Sequence, residues 1–334
     1  MIDQSVGAGL VSIKKIAGDV GVSTATVSNA LTGKGRVSRE MVDRIRTRAE
    51  ELGYRPSNAA RALKTGQTGI IGLVMPDLTN PLFPKIAQML SIAADKTQLG
   101  VLIADSRGRA DEQSEALKRL LDRGVDGLIV VPQKGTTPDA VPVPIAVINT
   151  SSDPRNAVSA DHIGGGALVA RHIRDIGHRR VVLLGGDKVS EVQRDRIEGM
   201  TRAFGADVTA EIFWGTRGVS YAISAIRGGA TAILTTSDLI ALQVRSELLR
   251  TDLPVPGRVS LTGFDDMSFA PIMHPALTTV AQNVEEIATR AIDILSAKIR
   301  GQTHPHDGQT VPMRLVVRQS TSIPTEPAKR RYPT

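Results

Sequence analysis

The 334-residue chain contains no cysteine. That removes disulfides, thiol nucleophiles and cysteine-based zinc or iron–sulfur sites, and it fits a reducing compartment. Aromatics are scarce at 3%, beside 41% hydrophobic and 22% charged residues, an ordinary balance for a folded soluble protein. No apolar run approaches membrane-spanning length. Met1 to Leu10 carry Asp3, no basic residue and only a glycine-broken apolar stretch, unlike a secretion signal. A cytoplasmic protein without a membrane partner is expected. No phosphate-cradling Gly-x-x-x-x-Gly-Lys-Ser/Thr run and no His-Glu-x-x-His occurs. Gly164-Gly165-Gly166 and Gly185-Gly186-Asp187 read as strand–helix turns rather than dinucleotide fingerprints, and His304-Pro305-His306-Asp307 reads as a Pro/Gly-rich loop rather than a metal site. No serine–histidine–acid set emerges from spacing. No cofactor, no metal and no catalytic residue is expected.

What is present is unevenly charged. Residues 1–66 hold 11 Lys/Arg against 6 Asp/Glu, a net +5, whereas the other 268 hold 30 against 28, a net +2. A basic head on a near-neutral body is the electrostatic footprint of nucleic-acid binding. Ile13, Ile16, Ala17 and Val20 make a one-sided helical stripe capped by Ser12. Gly21-Val22 follow, then Ser23 as a second cap and Thr24 to Leu31 with Val27, Ala30 and Leu31 on one face. Two short helices joined by a glycine turn describe a helix-turn-helix, and a third helix is expected from Arg39 to Leu52. The outer face of the second helix offers Thr24, Ala25, Ser28 and Asn29 to the major groove, where asparagine pairs with adenine and methyl groups touch thymine. Ser23, Thr26 and Ser28 suit phosphate contacts, which set register.

From Ala17-Gly18-Asp19-Val20-Gly21-Val22-Ser23 through Ala25-Thr26-Val27-Ser28-Asn29-Ala30-Leu31 to Val37-Ser38, and on through Glu51-Leu52-Gly53-Tyr54-Arg55-Pro56, the chain resembles the DNA-binding head of the lactose/galactose repressor (LacI/GalR) family. Many members carry Arg where this chain has Asn29, so a guanine-reading fork is missing here. The next segment, Ser57 to Gly66, is Ala-rich and too short to be a stable helix alone. The resemblance implies that it folds on the operator, with Asn58 at its start and Leu63 wedged into the minor groove.

Beyond Gly69, short apolar runs (70–75, 101–104, 128–131, 145–148, 181–184, 232–235 and 259–263) alternate with helical stretches such as 85–99 and 111–123. Runs covered on both faces, alternating with helices, argue for parallel sheets, and two sets argue for two lobes with ligands outside the strand ends. Asp77-Leu78-Thr79-Asn80-Pro81-Leu82-Phe83, Asp161-His162, Arg196-Ile197-Glu198-Gly199 and Gly263-Phe264-Asp265-Asp266 extend the resemblance to the periplasmic sugar-binding fold used by the same repressors. The resemblance implies an effector pocket with Leu82 and Phe83 as apolar wall, Arg196 and Asp265 as polar anchors, Asn149 and Asp161 at strand ends, and Trp214 near an aromatic stacking position. Ser237-Asp238 stands where relatives usually have Asn-Asp, and Asn149 where they commonly have Asp.

The expected architecture is a small all-α helix-turn-helix head at 11–56, a hinge at 57–66 and an α/β body of two lobes with parallel sheets at 67–323, followed by a tail at 324–334. The N-lobe would comprise about 67–162 and 284–312, and the C-lobe 163–283 and 313–323. The resemblance implies a dimeric repressor of a palindromic, double-stranded operator, modulated by a sugar or sugar derivative. Rival readings are a family member answering to a nucleoside, a purine or a protein corepressor, a doubly wound enzyme, and a solute-binding protein for transport.

Overall fold

The computed structural model describes residues 12–33, 35–54 and 66–325. Asn58 and Leu63 lie outside the described residues. The chain divides into two compact units, Met1–Thr68 and Gly69–Thr334.

The first unit holds α1 (Ile13–Val20), α2 (Thr24–Thr32) and α3 (Arg39–Glu51). Each opens on a serine whose hydroxyl accepts an otherwise orphaned amide: Ser12 from Lys15, Ser23 from Thr26 and Ser38 from Met41. Between the first two helices Gly21 takes φ 77°, a left-handed turn that glycine adopts without steric cost. Ile16, Ala17, Val27, Ala30, Ile45 and Ala49 are buried together at the meeting of the three helices. Arg48 ties α3 to α1 by donating to the Asp19 carboxylate from Nε at 3.0 Å and from a terminal nitrogen at 2.7 Å.

The second unit carries β1 (Ile70–Met75), α4 (Leu82–Lys96), β2 (Gly100–Asp105), α5 (Ala110–Leu121), β3 (Gly127–Val130), β4 (Ile145–Val147) and β5 (Val158–Ala160). There follow α6 (His162–Asp175), β6 (Arg180–Gly185), α7 (Glu191–Phe204), β7 (Thr209–Trp214), α8 (Thr216–Arg227), β8 (Ala232–Thr235), α9 (Asp238–Arg250) and β9 (Ser260–Thr262). The last elements are β10 (Thr279–Ala281), α10 (Val284–Ile299), β11 (Gln309–Val311) and β12 (Arg314–Val316). Two four-stranded parallel sheets result, ordered β2-β1-β3-β4 and β7-β6-β8-β9. Their central strands are buried on both faces along almost their whole length, in keeping with their Val/Ile/Leu-rich content.

The pairs beyond these sheets were not anticipated as strands: β5 runs parallel with β11, and β10 runs antiparallel with β12. Each segment is only three residues long, too short for a periodicity to register. Their pairing shows where the chain changes lobe. α10 packs in the first lobe's core with Leu73, Ile129 and Val158, whereas α6 packs with the strands of the second sheet. The backbone therefore crosses three times, from β5 to α6, from β10 to α10 and from β11 to β12.

The triple glycine 164–166 corrects the expectation of a turn, because it lies within α6. A Cβ on Gly166 would overlap the Arg196 carbonyl oxygen of α7, and one on Gly199 would overlap the Ile163 carbonyl oxygen of α6. Bare backbone on both helices lets them touch there. That contact fixes Arg196, three residues before Gly199.

Candidate functional site

In the head, the first turn of α2 stands open. Ser23, Thr24 and Ala25 are exposed, while Thr26, Ser28 and Asn29 are half-buried. Ser12 and Ser23 spend one acceptor on capping, and the Ser23 hydroxyl also lies 2.9 Å from that of Thr26. The Ser28 carbonyl accepts from Thr32 at 2.7 Å. Asn29 turns toward Gly35, whose φ of 82° and missing side chain leave room for the carboxamide. With threonine, alanine, serine and asparagine outward and no cation anywhere on α2, this surface offers methyl groups and small hydrogen-bonding groups rather than guanidinium forks.

In the body, a cavity of about 700 Å³ lies between the lobes, lined by residues following the strands of both sheets. Five of the seven expected effector residues come together there: Leu82, Phe83, Asn149, Arg196 and Asp265. Two do not. Asp161 caps α6 by accepting the Gly164 amide at 2.8 Å, and the residues on either side of it, Ala160 and His162, line the cavity instead. Trp214 is half-buried among the second lobe's core residues and lies across Gly185, where a Cβ would collide with its ring. The aromatic stacking surface expected from Trp214 is thus directed elsewhere, and Gly215 and Thr216 reach the cavity.

Arg196 is the organising group, at only 3% exposure. Its guanidinium donates to Asp265 at 2.8 Å, to the Thr236 carbonyl at 2.6 Å and to His162 Nδ1 at 3.3 Å, and it lies 4.0 Å from the centre of the Phe264 ring. Asp265 also accepts from Gln282 at 2.7 Å. A buried charge pair is tolerable only when its remaining hydrogen bonds are made, and here each nitrogen of Arg196 has a partner. The backbone is bent to achieve this: Asp265 sits at φ 107° and Asp266 at φ 49°, conformations that cost a non-glycine residue roughly 1–3 kcal/mol. The strain is held by the Asp265 amide donating to the Val280 carbonyl at 2.8 Å and by the Arg318–Asp266 ion pair at 2.7 Å.

Burial sets the protonation states. It drives His162 well below the usual histidine range, helped by the Arg196 charge, so the ring stays neutral and Nδ1 can accept. Burial raises the Asp265 carboxyl, against the guanidinium that lowers it. Asp238, fully buried, accepts from Thr279 at 2.6 Å and from the Met267 amide at 2.7 Å, and burial with the nearby Asp265 charge pushes it up to about 7.

Sequence reasoning assigned no role to His162, Thr236 and Gln282. His162 and Gln282 sit on or beside the lobe crossings, and only Asp161-His162, quoted as a matching motif, marked that place. The lobes also hold each other directly. Asn149 Nδ2 donates to Glu191 at 2.7 Å, the Ser152 hydroxyl donates to Asp195 at 3.1 Å, Thr150 also donates to Asp195, and Lys134 faces Asp187 at 3.7 Å. Among the described residues, no cluster of three His, Asp or Glu could hold a metal ion, and no helix is long and apolar enough to cross a membrane. His306 pairs with Gln309, and Asp307 with Lys298.

Comparison with known proteins connects the two halves. Residues 12–57 match the family of bacterial regulatory proteins of the lacI type, and residues 170–321 match the periplasmic binding protein-like domain. The HTH-type transcriptional regulator reg1 of Streptomyces lividans is 32% identical over 345 residues, covering 95% of this chain and 98% of the relative. The ribose operon repressor of Haemophilus influenzae is 26% identical over 93% of this chain and 98% of its own. Among solved structures, the lac repressor dimer bound to operator and the anti-inducer ONPF superposes with a TM-score of 0.81 at 23% identity, over 94% of this chain and 100% of that one. Helix-turn-helix head and two-lobed body are thus found together in relatives along nearly the whole length, and the chain belongs to the LacI family of DNA-binding transcriptional regulators.

Proposed function

We propose that the protein is a cytoplasmic repressor that grips a palindromic operator as a homodimer and changes its grip when a sugar or sugar derivative closes the cleft between its lobes. The observation that carries this reading is the buried Arg196–Asp265 pair, held in a strained loop and lining the cavity between the lobes, in a chain that also bears a DNA-reading head. A rigid fork beside a carboxylate and carboxamides suits hydroxyl groups, each of which both donates and accepts. A relative is named for the ribose operon. Leu82 and Phe83 supply apolar wall, and Asn149 lies where the lobes meet.

On the DNA side, Thr24, Ala25, Ser28 and Asn29 face base edges, while Ser12, Ser23 and Thr26 contact phosphates. By the family resemblance, Asn58 and Leu63 complete the contact. Dimerisation has a surface to use: Leu78, Ile92 and Ile103, at 36%, 47% and 49% exposure, border one groove beside edge strand β2. A second copy of the chain covers that groove in this reading, as the lac repressor forms a dimer.

Fluorescence anisotropy with selected operator duplexes tests the reading. Half-sites two-fold related are expected from a randomised-site selection, with affinity changing at least about tenfold when the effector sugar is added. Absence of sequence preference over random competitor at moderate salt refutes the DNA half, and an affinity indifferent to every sugar refutes the effector half. In the same selection, Asn29→Arg is expected to add guanine preference at one position of each half-site.

A further inference from the structure

Resting on the sugar reading of the cleft, we propose that the effector is an uncharged saccharide of two linked rings. The second ring would sit in an outer subsite made by Thr216, Val219, Ile240 and Gln243.

Width is the first ground. In the second lobe the cavity is lined by Thr216 after β7, Gly186 after β6, Ser237 after β8 and Asp265 beyond β9, so it spans the whole sheet. In the first lobe Ala110 follows β2, Asp77 follows β1, Gln133 follows β3 and Asn149 follows β4, again all four strands. Three inter-strand gaps of about 4.8 Å make roughly 14 Å. With bonds of about 1.5 Å, one six-membered ring and its hydroxyls reach roughly 6–7 Å, half of that span. A ring anchored at Arg196 and Asp265, at the β9 end, leaves the β7 end unfilled. The volume of about 700 Å³ agrees: at roughly 30 Å³ each it corresponds to some twenty water molecules, more than one ring displaces.

Chemistry is the second ground. The β7 end is neutral but not featureless. Ile240 lies against Gly186, and Gln243, about one helical turn further along α9, is exposed on the same side. Thr216 opens α8, with Val219 one turn on. A hydroxyl, a carboxamide and two aliphatic side chains match the polar rim and apolar face of a sugar ring.

Charge is the third. The cavity's lining holds two cations, Lys134 and Arg196, against four carboxylates, and six carboxamides beside them. The charge of Arg196 is offset by Asp265 at 2.8 Å, and that of Lys134 by Asp187 at 3.7 Å. A phosphate or carboxylate on the ligand would therefore meet a net negative wall, whereas carboxamides serve hydroxyls in either direction.

Titration calorimetry on the full chain decides the matter, with maltose, cellobiose, trehalose, lactose and sucrose set against glucose, galactose, ribose and glucose 6-phosphate. At least one disaccharide is expected to bind about tenfold or more tightly than its component monosaccharides, and glucose 6-phosphate not at all. Thr216→Trp, an exposed position, should weaken that disaccharide about tenfold while monosaccharide binding moves less than about twofold. Gln243→Ala should act in the same direction, with unchanged circular dichroism as the folding control. A monosaccharide binding as tightly as any disaccharide, indifferent to Thr216→Trp, overturns the outer subsite and leaves the sugar reading standing. Tight binding of glucose 6-phosphate overturns the charge argument. Failure of every saccharide to bind overturns the sugar reading along with the subsite.

Discussion

In the proposed reading, Arg196 couples folding to ligand control through one side chain. Replacing it by alanine strands Asp265 at 5% exposure, with Gln282 as its one remaining side-chain donor among the described residues. Breaking a buried pair in this way costs about 3–5 kcal/mol, so chemical denaturation of Arg196→Ala should show a loss of that order together with loss of the effector response. The sign of the accompanying pH effect is definite. A carboxyl already raised by burial rises further without its guanidinium, so the folded state binds a proton that the unfolded state releases. Stability of Arg196→Ala should therefore recover as pH falls from 8 to 5, and a flat profile would show that Asp265 is solvated. His162 titrates the other way. Its folded pKa lies well below 6.5, so below that pH the unfolded chain takes up a proton that the folded ring refuses, and stability falls on acidification. Urea midpoints of His162→Gln should fall less steeply than those of the unaltered chain as pH drops below 6.5.

The decisive unit among the elements is the α6–α7 contact. Gly166 and Gly199 let two backbones approach with no side chain between them, and the Arg196 carbonyl is itself one of the touching atoms. Gly199→Ala should destabilise the body by about 1–3 kcal/mol through overpacking, read as a lowered urea midpoint. Effector affinity should fall with it, since α7 must shift and carries Arg196 along. Undiminished affinity would mean that the anchor is set by Asp265 and Thr236 alone. Apolar runs made seven of the twelve described strands legible beforehand: those at 70–75 and 232–235 are strands with those limits, and the other five differ by a residue or two. Helix starts were less legible. α4 begins at Leu82 rather than Lys85, because Asn80 accepts the Leu82 amide and initiates the turn early.

Across the whole molecule, the cleft is bridged by side chains from facing lobes, and this chain's particular choice is Asn149 opposite Glu191. A carboxamide donates to that carboxylate; an aspartate would repel it. Asn149→Asp is expected to weaken effector binding several-fold, because two carboxylates would then face each other across the cleft. Calorimetry against the unaltered chain checks it, and equal affinities would mean that the Asn149–Glu191 bond does not contribute to closure. The latch was not legible in the sequence, because its partners lie 42 residues apart and on different lobes.

Charge asymmetry, serine caps and the glycine turn in the first fifty residues were enough to specify a DNA-reading head, because those signals are local. The same holds for the parallel sheets of the body, seven of whose eight strands announce themselves as apolar runs. Contact across the chain decided the rest. Asp161 proved to cap a helix while His162 beside it joined the anchor, and Trp214 turned into the core while Thr216 reached the cavity. Neighbouring residues in a strand or at a helix start face opposite ways, so a shift of one position exchanges a binding side chain for a structural one. For Asp161 and His162 this depended on the three-residue β5, whose partner β11 lies far along the chain, and for Trp214 on the packing of β7 against β6, which only the folded body brings about.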